Sequence, residues 1–214
     1  VSMLAINRKL LRELWQMRMQ VLTIALVIAT GIMSVMTMRG TYESLTWSQS
    51  TYYQQTRFAD VWAPLVRAPA LVASRVADLP GVESIDTRIT FLATLDLEGL
   101  NMPAQGRFVS VPEFGRPVLN DILIKKGRYI VSGEPDEVII NEKFALARGL
   151  EPGDSVKAVI NGRSQALRIV GIANSPEHSY AVPPGSLFPE DERYGVFWMS
   201  EEILGPVYDM DGAF

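Results

Sequence analysis

The clearest feature of the hydrophobic pattern is an uncharged run near the amino terminus. Met19 to Met38 is a stretch of 20 residues without Asp, Glu, Lys, Arg or His. A helix rises about 1.5 Å per residue, so this run would span about 30 Å, the thickness of the hydrocarbon core of a bilayer. The pattern therefore predicts a transmembrane helix over residues 19–38.

Residues 1–18 show a different periodicity. Leu10, Leu11, Leu14 and Trp15 recur at helical spacing, and charged residues lie between them. This spacing predicts a short amphipathic helix on the inner membrane face. A plain extension of the spanning helix is the alternative, because the pattern is short.

The charges on the two sides of the uncharged run predict its orientation. Residues 8–18 carry four basic side chains and one acid, Glu13. Residues 40–214 carry 15 of the 20 Lys and Arg residues but 23 of the 24 Asp and Glu residues, a net charge of −8. By the positive-inside rule, residues 1–18 are predicted to be cytoplasmic and residues 40–214 to be exported. An acidic exported domain has no electrostatic reason to bind nucleic acid.

A cleaved signal peptide is the alternative for the same residues. The uncharged run is longer than the roughly 7–15 residues of a signal h-region, and residues 38–42 offer no small-residue cleavage site. We therefore expect the helix to be retained. The sequence contains no cysteine, which excludes disulfides, thiolate metal sites and a cysteine nucleophile.

The pattern changes after the uncharged run. Residues 39–57 lack proline and are predicted to continue the spanning helix outward as a stalk. Turn-forming residues then separate shorter elements. These are a strand over Phe58–Leu65, a helix from Pro69 to Asp78, a β-rich segment over Val82–Leu97, and a hairpin through residues 98–101 into Met102–Val111. Together they predict a β-α-β unit with a following hairpin.

The second half has stronger turn signals. Asn161-Gly162 lies between two runs of β-formers and is a strong signal for a β-hairpin. The predicted elements in order are a buried strand over Glu137–Ile140, a helix capped by Asn141 and closed by Gly149, a type II turn over Glu151–Asp154, and hairpin strands over Ser155–Ile160 and Arg163–Ile172.

The sequence carries no recognisable catalytic or ligand-binding motif. The sequence contains no GxSxG, GxxxxGK[ST] or HExxH motif, and His178, the one histidine, is predicted to be an exposed loop residue. The acidic groups have simpler explanations. They are Asp96 and Glu98 at a strand end, Glu190, Asp191 and Glu192 in a solvated loop, and Asp209 and Asp211, which resemble a calcium loop without its distal glutamate. We predict no catalytic, cofactor-binding or metal-binding residue.

Several short motifs follow one another in an order that resembles a known family. They are Ala59-Asp60-Val61, Leu79-Pro80-Gly81-Val82, Lys126-Gly127-Arg128-Tyr129, Glu137 to Asn141, Gly149-Leu150, Pro152-Gly153-Asp154 and Val170-Gly171-Ile172. This order resembles the periplasmic core domain of MacB/FtsX-type ABC transporter permeases.

The resemblance implies an α+β fold. It consists of a transmembrane helix with a stalk, then a mixed extracytoplasmic domain. Residues 58–111 would form a first β-α-β subdomain, residues 112–200 a β-rich inserted subdomain, and residues 201–214 the start of a second β-α-β unit. The sequence would then be the amino-terminal part of a longer permease.

The resemblance also implies a function. The chain would be a non-enzymatic permease subunit in the bacterial inner membrane, without a cofactor, that couples a separate cytoplasmic ABC ATPase subunit to motion of its periplasmic domain. A second permease copy or a homologous permease, membrane lipid, and a periplasmic adaptor or substrate would be its other partners. The alternative is a single-pass membrane-anchored extracytoplasmic binding or sensor domain. An enzyme whose site is completed by residues elsewhere is a third possibility.

Overall fold

Two helices form the amino-terminal part of the chain in the computed structural model, which describes residues 2–97, 103–210 and 212–214. Helix α1 covers Ser2–Gln16, and helix α2 covers Arg18–Gln55. At about 1.5 Å per residue, the 38 residues of α2 extend for about 57 Å. In the described part of the chain, α2 is the one helix long and apolar enough to cross a membrane, with a mean hydropathy of 2.2 over its most apolar stretch.

The chain divides into two compact units, Val1–Thr51 and Tyr52–Phe214. The second unit contains three short helices and seven strands. The helices are α3 (Ala70–Ala77), α4 (Glu142–Arg148) and α5 (Glu201–Val207). The strands are β1 (Thr90–Asp96), β2 (Ala104–Val111), β3 (Leu123–Gly127), β4 (Glu137–Asn141), β5 (Ser155–Ile160), β6 (Arg163–Asn174) and β7 (Tyr194–Ser200).

Six of these strands close into a ring. Their order is β6-β4-β7-β2-β1-β5, and β5 pairs again with β6. Closure is possible because β6 is 12 residues long. One side of β6 pairs with β4. On the other side, its first half pairs with β5 and its second half pairs with β3. Two of the pairings, β2 with β7 and β4 with β6, are parallel, and the others are antiparallel.

Strands β4 and β7 lie at the centre of the domain, and each is buried on both faces. Alternate residues of a strand point to opposite faces. Accordingly Ile140 and Phe197 belong to one hydrophobic cluster, whereas Ile139 and Trp198 belong to the other. The near-continuous apolar runs of these two strands are therefore explained by burial on both sides.

The second half matches its sequence-based predictions closely. Asn161 and Gly162 both have positive φ, 46° and 75°, and join β5 to β6 as a two-residue hairpin turn. Gly149 adopts a left-handed conformation at the end of α4. Asn141 lies at the N-cap position, but its side chain makes no capping hydrogen bond and instead accepts one from the N–H of Val196 at 2.8 Å. The predicted α+β class is confirmed.

The first half departs from its predictions. The predicted strand over Phe58–Leu65 is wrong, because these residues are irregular. The β-rich segment Val82–Leu97 is a strand only over β1. In the irregular part before β1, the side chains of Asp86 and Arg88 bond the N–H and C=O of Leu119. The antiparallel pairing of β1 and β2 is present, while the predicted turn at residues 98–101 lies outside the described residues.

The predicted first β-α-β unit therefore lacks its first strand. Strands β1 and β2, from residues 58–111, belong to the same ring as β4 to β7, from residues 112–200. The helix expected over residues 39–57 is present up to Gln55 as part of α2.

Candidate functional site at the end of helix α2

The end of α2 is tied by hydrogen bonds to a loop that precedes β3. Ala59 donates its N–H to the side-chain oxygen of Asn120 at 2.9 Å, and Asn120 donates its own N–H to the C=O of Arg57 at 2.9 Å. Asp121 donates its N–H to the C=O of Thr56 at 2.8 Å. We call the six residues Thr56, Arg57, Ala59, Pro117, Asn120 and Asp121 the α2 clamp. Three backbone groups just beyond the last turn of α2 are thereby joined to a loop some 60 residues away.

Local conformation explains why these residues can meet. Arg57 and Asn120 both adopt positive φ, 49° and 51°. Asn tolerates the left-handed region better than most residues because its short side chain can hydrogen-bond locally. Asn120 is buried, and both its backbone N–H and its side-chain oxygen are used in the clamp. This residue therefore holds the loop in the shape that receives the chain leaving α2.

Charged side chains reinforce the α2 clamp. The guanidinium of Arg57 donates to the C=O of Pro117 at 2.6 Å and lies 3.6 Å from the carboxylate of Asp121. Arg116 donates to the same carboxylate at 2.9 Å and also to the C=O of Ile122. Ile122 is fully buried just before β3, so the clamp continues into the core of the domain.

Aromatic rings pack around the last turn of α2. Tyr53 stacks on Phe58 with ring centroids 4.3 Å apart, and Phe58 contacts Trp62 at 4.9 Å. Thr56 is buried and donates its hydroxyl to the C=O of Tyr52 at 2.7 Å. Burial raises the pKa of Tyr52, and the neighbouring Tyr53 adds to this shift. The site consists of packing contacts and hydrogen bonds. Such contacts suit a mechanical connection between a helix and a domain.

His178 is less exposed than its sequence predicts. The loop that carries it folds back so that its side chain is only 12% exposed, with its ring centroid 6.1 Å from that of Trp198. Burial lowers the pKa of His178, and the positive charges of Arg107 and Arg88 act in the same direction against an opposing effect of Glu177. The prediction of an exposed histidine is therefore wrong, because most of the His178 side chain is shielded from solvent.

The acidic groups singled out in the sequence do not converge. Asp96 is exposed at the end of β1, while Glu98 and Asp211 lie outside the described residues. Glu190 pairs with Arg193 at 3.1 Å, and Asp209 pairs with Arg67 at 3.0 Å in an exposed turn. Among the described residues, no group of three or more His, Asp or Glu side chains could hold a metal ion.

The sequence alone did not reveal the α2 clamp. The one available signal was Asn120 followed by Asp121, a pair typical of turns, in a segment without helical or strand periodicity. Nothing in that signal says which distant segment the turn would bind.

A long apolar helix whose end is bonded into an α+β domain defines a class: membrane-anchored proteins with a folded domain outside the hydrocarbon core. The family model of the MacB-like periplasmic core domain matches residues 21–201. The chain belongs to this family, which places it among ABC transporter permeases. The resemblance noted in the sequence is thereby confirmed.

Solved structures include a similar domain. The extracellular domain of the noncanonic ABC-type transporter YknZ from Gram-positive bacteria is 13% identical, covers 67% of each chain and superposes with a TM-score of 0.40. No significant match to this chain was found among curated proteins.

Proposed function

We propose that this chain is a permease subunit that couples a separate cytoplasmic ABC ATPase to motion of its outer domain. Residues 1–18 lie on the cytoplasmic side, residues 19–38 cross the bacterial inner membrane, and residues 39–57 form the stalk. The chain itself is non-catalytic. A second permease copy, or a homologous permease, completes the transporter.

The observation that carries this proposal is the α2 clamp at the end of one uninterrupted helix. About 30 Å of α2 suffices for the membrane, which leaves about 25 Å beyond Met38. A stiff helix transmits displacement better than a flexible linker does. Because Thr56, Arg57 and Ala59 bond directly to residues 117–121, a displacement of the last turn of α2 also displaces that loop.

Label distances within the assembled transporter test this proposal. The sequence has no cysteine, so Ser48→Cys provides one spin-label site on the exposed surface of the stalk. We expect the distance between labels on two permease copies to take two values whose populations change when ATP binds the ATPase. A ligand shifts a population only if it binds the two states differently, so an ATPase variant unable to bind ATP should abolish the change.

A second label at Leu187, in an exposed loop of the domain, measures whether the outer domain follows the stalk. Coupling predicts that both distance distributions change together with nucleotide. A single unvarying distance at both sites would instead favour a static membrane-anchored binding or sensor domain.

A further inference from the structure

A tight turn directly after β6 holds His178 against the buried ring of Trp198. His178 donates its N–H to the C=O of Ser175 at 3.3 Å, and Ser179 donates its hydroxyl to the same C=O at 3.1 Å. We call residues 175–179 the β6 turn. This turn therefore lies against the hydrophobic cluster that contains Trp198.

The imidazole of His178 lies where a positive charge is poorly accommodated. Its Nε2 atom is buried and has no hydrogen-bond partner among the described residues. The carboxylate of Glu177 is 4.0 Å from Nε2, beyond hydrogen-bond distance. The positive charges of Arg88 and Arg107 also act on the ring. Because a buried charge without a partner is costly, the closed turn favours the uncharged imidazole.

The other charged and titratable groups around the β6 turn are already engaged. They are Asp86 and Arg88 before β1, Arg107 on β2, Lys143 on α4 and Tyr194 on β7. Lys143 donates to the C=O of Ser179 at 2.9 Å. The hydroxyl of Tyr194 accepts from Arg107 at 2.9 Å, and Asp86 accepts the N–H of Leu119 at 3.2 Å. A protonated His178 would therefore have to compete with existing bonds for an acceptor.

Arg88 connects the β6 turn to the loop of the α2 clamp. Its guanidinium donates to the carboxylate of Glu177 at 2.8 Å and to the C=O of Leu119 at 2.5 Å. Its side chain is only 14% exposed, so its position depends on these partners. Leu119 directly precedes Asn120, the buried residue of the clamp. A movement of Glu177 therefore reaches the clamp through two hydrogen bonds.

We propose that protonation of His178 opens the β6 turn and thereby loosens the α2 clamp. A charged imidazole gains water and acceptors when the turn moves away from Trp198. Glu177, the adjacent residue, moves with it and leaves Arg88, which then no longer fixes Leu119. The opening itself requires no ATPase, and only its effect on transport rests on the proposed coupling function.

Burial gives the direction of the pH effect. It lowers the pKa of His178 below its ordinary value of 6.5, against an opposing effect of Glu177. The open turn therefore binds the proton more tightly than the closed turn does. The closed turn is favoured above about pH 6.5, and this preference is lost as the pH falls through 6.5 toward the lowered pKa.

Hydrogen exchange of the full chain in phosphatidylcholine nanodiscs, measured by mass spectrometry, tests the inference. After correction for the intrinsic pH dependence of exchange, residues 175–181 and 57–62 should both lose about tenfold in protection between pH 7.5 and 5.5. Strand β7 should keep its protection, which distinguishes this opening from unfolding of the domain. No loss in the parent, or a loss at 175–181 without one at 57–62, would overturn the inference.

Variants of His178 assign the pH effect to its imidazole. His178→Gln keeps an uncharged polar side chain at every pH and should remove the change in both segments. His178→Phe keeps an aromatic ring beside Trp198 and should do the same. Glu192→Gln, in an exposed loop, is the matched control and should respond as the parent does. A parent-like response in the glutamine and phenylalanine variants would overturn the inference.

Direct titration tests the inference in the unsubstituted chain. The sequence contains one histidine, so the Cε1 proton of the untagged protein gives a single histidine signal in nuclear magnetic resonance. Its midpoint should lie below pH 6.5, and a midpoint at or above this value would overturn the inference. None of these measurements involves nucleotide, so failure here is distinguishable from failure of the coupling proposal.

Discussion

The side-chain oxygen of Asn120 accepts the backbone N–H of Ala59 at 2.9 Å, although 61 residues separate them in sequence. Both residues are buried, so this N–H has no access to water as a substitute acceptor. A buried donor left without a partner is costly, which makes this bond the most sensitive point of the α2 clamp.

Replacing Asn120 with alanine should weaken the clamp. We expect the free energy of unfolding to fall by about 1–3 kcal/mol, because the N–H of Ala59 loses its acceptor. The variant also places a Cβ-bearing residue without a polar side chain at φ 51°. Urea unfolding of the full chain in detergent, followed by near-ultraviolet circular dichroism, measures the change.

The Asn120→Gly variant separates these two effects. Glycine adopts positive φ without strain but also lacks the acceptor. The difference between the alanine and glycine variants therefore reports backbone strain, expected at about 1 kcal/mol. Parent-like unfolding of both variants would show that the bond to Ala59 contributes nothing.

Glu137 should confer a pH-dependent stability on the domain. Its side chain is 1% exposed and is bonded by Arg128 and, at 3.1 Å, by Arg168. The hydrogen bond from Arg128 lowers the pKa of Glu137 from its ordinary value of 4.5, against an opposing effect of burial. The unfolded chain therefore holds this proton more tightly. The stabilisation is present above about pH 4.5 and is lost as the pH falls through the lowered pKa.

Glu137→Gln removes this charge and should cost about 2 kcal/mol near neutral pH. The difference in melting temperature between parent and variant should be largest at pH 6–7 and should narrow below pH 4. Glu192→Gln, in an exposed loop, is the matched control and should follow the parent at every pH. A constant difference across this range would contradict the assignment of the stabilisation to the ionised form.

Gly195 is required by the packing of two aromatic rings. A Cβ at this position would lie 2.8 Å from atoms of both Phe144 and Phe197. Both rings are fully buried, so they have little room to move. Gly195→Ala should therefore lower the free energy of unfolding by about 1–3 kcal/mol.

Adding Phe197→Leu to the Gly195→Ala variant should relieve part of the overlap. The two changes are then non-additive, because leucine lacks the Cε2 atom of Phe197, which lies 2.8 Å from the new Cβ. Gly40→Ala is a useful comparison, since a Cβ there meets nothing within 4 Å. Strict additivity of the pair in denaturant unfolding would argue against steric overlap as the cause.

A proline at Leu45 should uncouple the stalk from the membrane helix. Proline in the interior of a helix removes a hydrogen bond and clashes with the preceding turn, at a cost of about 3 kcal/mol. Leu45 is exposed on α2 and lies in the first unit, so the second unit should remain folded. ATP hydrolysis by the assembled transporter should continue while the label distance at Leu187 stops responding to nucleotide.

Leu45→Ala is the control, because it shortens the same side chain and keeps the helix. If the proline variant responds to nucleotide as the alanine variant does, the stalk does not need to be a continuous helix.

Insertion of a reporter tests the predicted orientation. The loop at Gly185 is exposed and joins β6 to β7, so an insert should be tolerated. A reporter active only outside the cytoplasm should be active there and inactive when fused before residue 18. The reverse result from well-expressed fusions would invert the topology.

The sequence-based predictions of secondary structure were most accurate where interactions between neighbouring residues decide the structure. Gly149 and Asn161-Gly162 need conformations that few residues adopt, so their positions alone located a helix end and a hairpin. The uncharged run was equally informative, since α2 contains it entirely. In each case the interactions that decide the structure lie within a few residues of each other.

The sequence-based predictions were less accurate where contacts between residues far apart in sequence decide the structure. Phe58 and its neighbours have the composition of a strand, yet the ring of Phe58 stacks on Tyr53 and the N–H of Ala59 bonds Asn120. Similarly, Arg88 donates a hydrogen bond at 2.8 Å to the carboxylate of Glu177, 89 positions further along the chain. No local pattern contains that information.

Closure of the strand ring also limits when this domain can fold. Parallel pairing of β2 with β7 joins Gln105 to Tyr194, so the ring stays open until β7 has been synthesised. Contacts between residues so far apart in sequence form slowly, and strand edges that stay unpaired during this time are prone to aggregation. In the proposed orientation the outer domain crosses the membrane in chain order, so the edge of β2 that pairs with β7 stays unpaired until β7 follows.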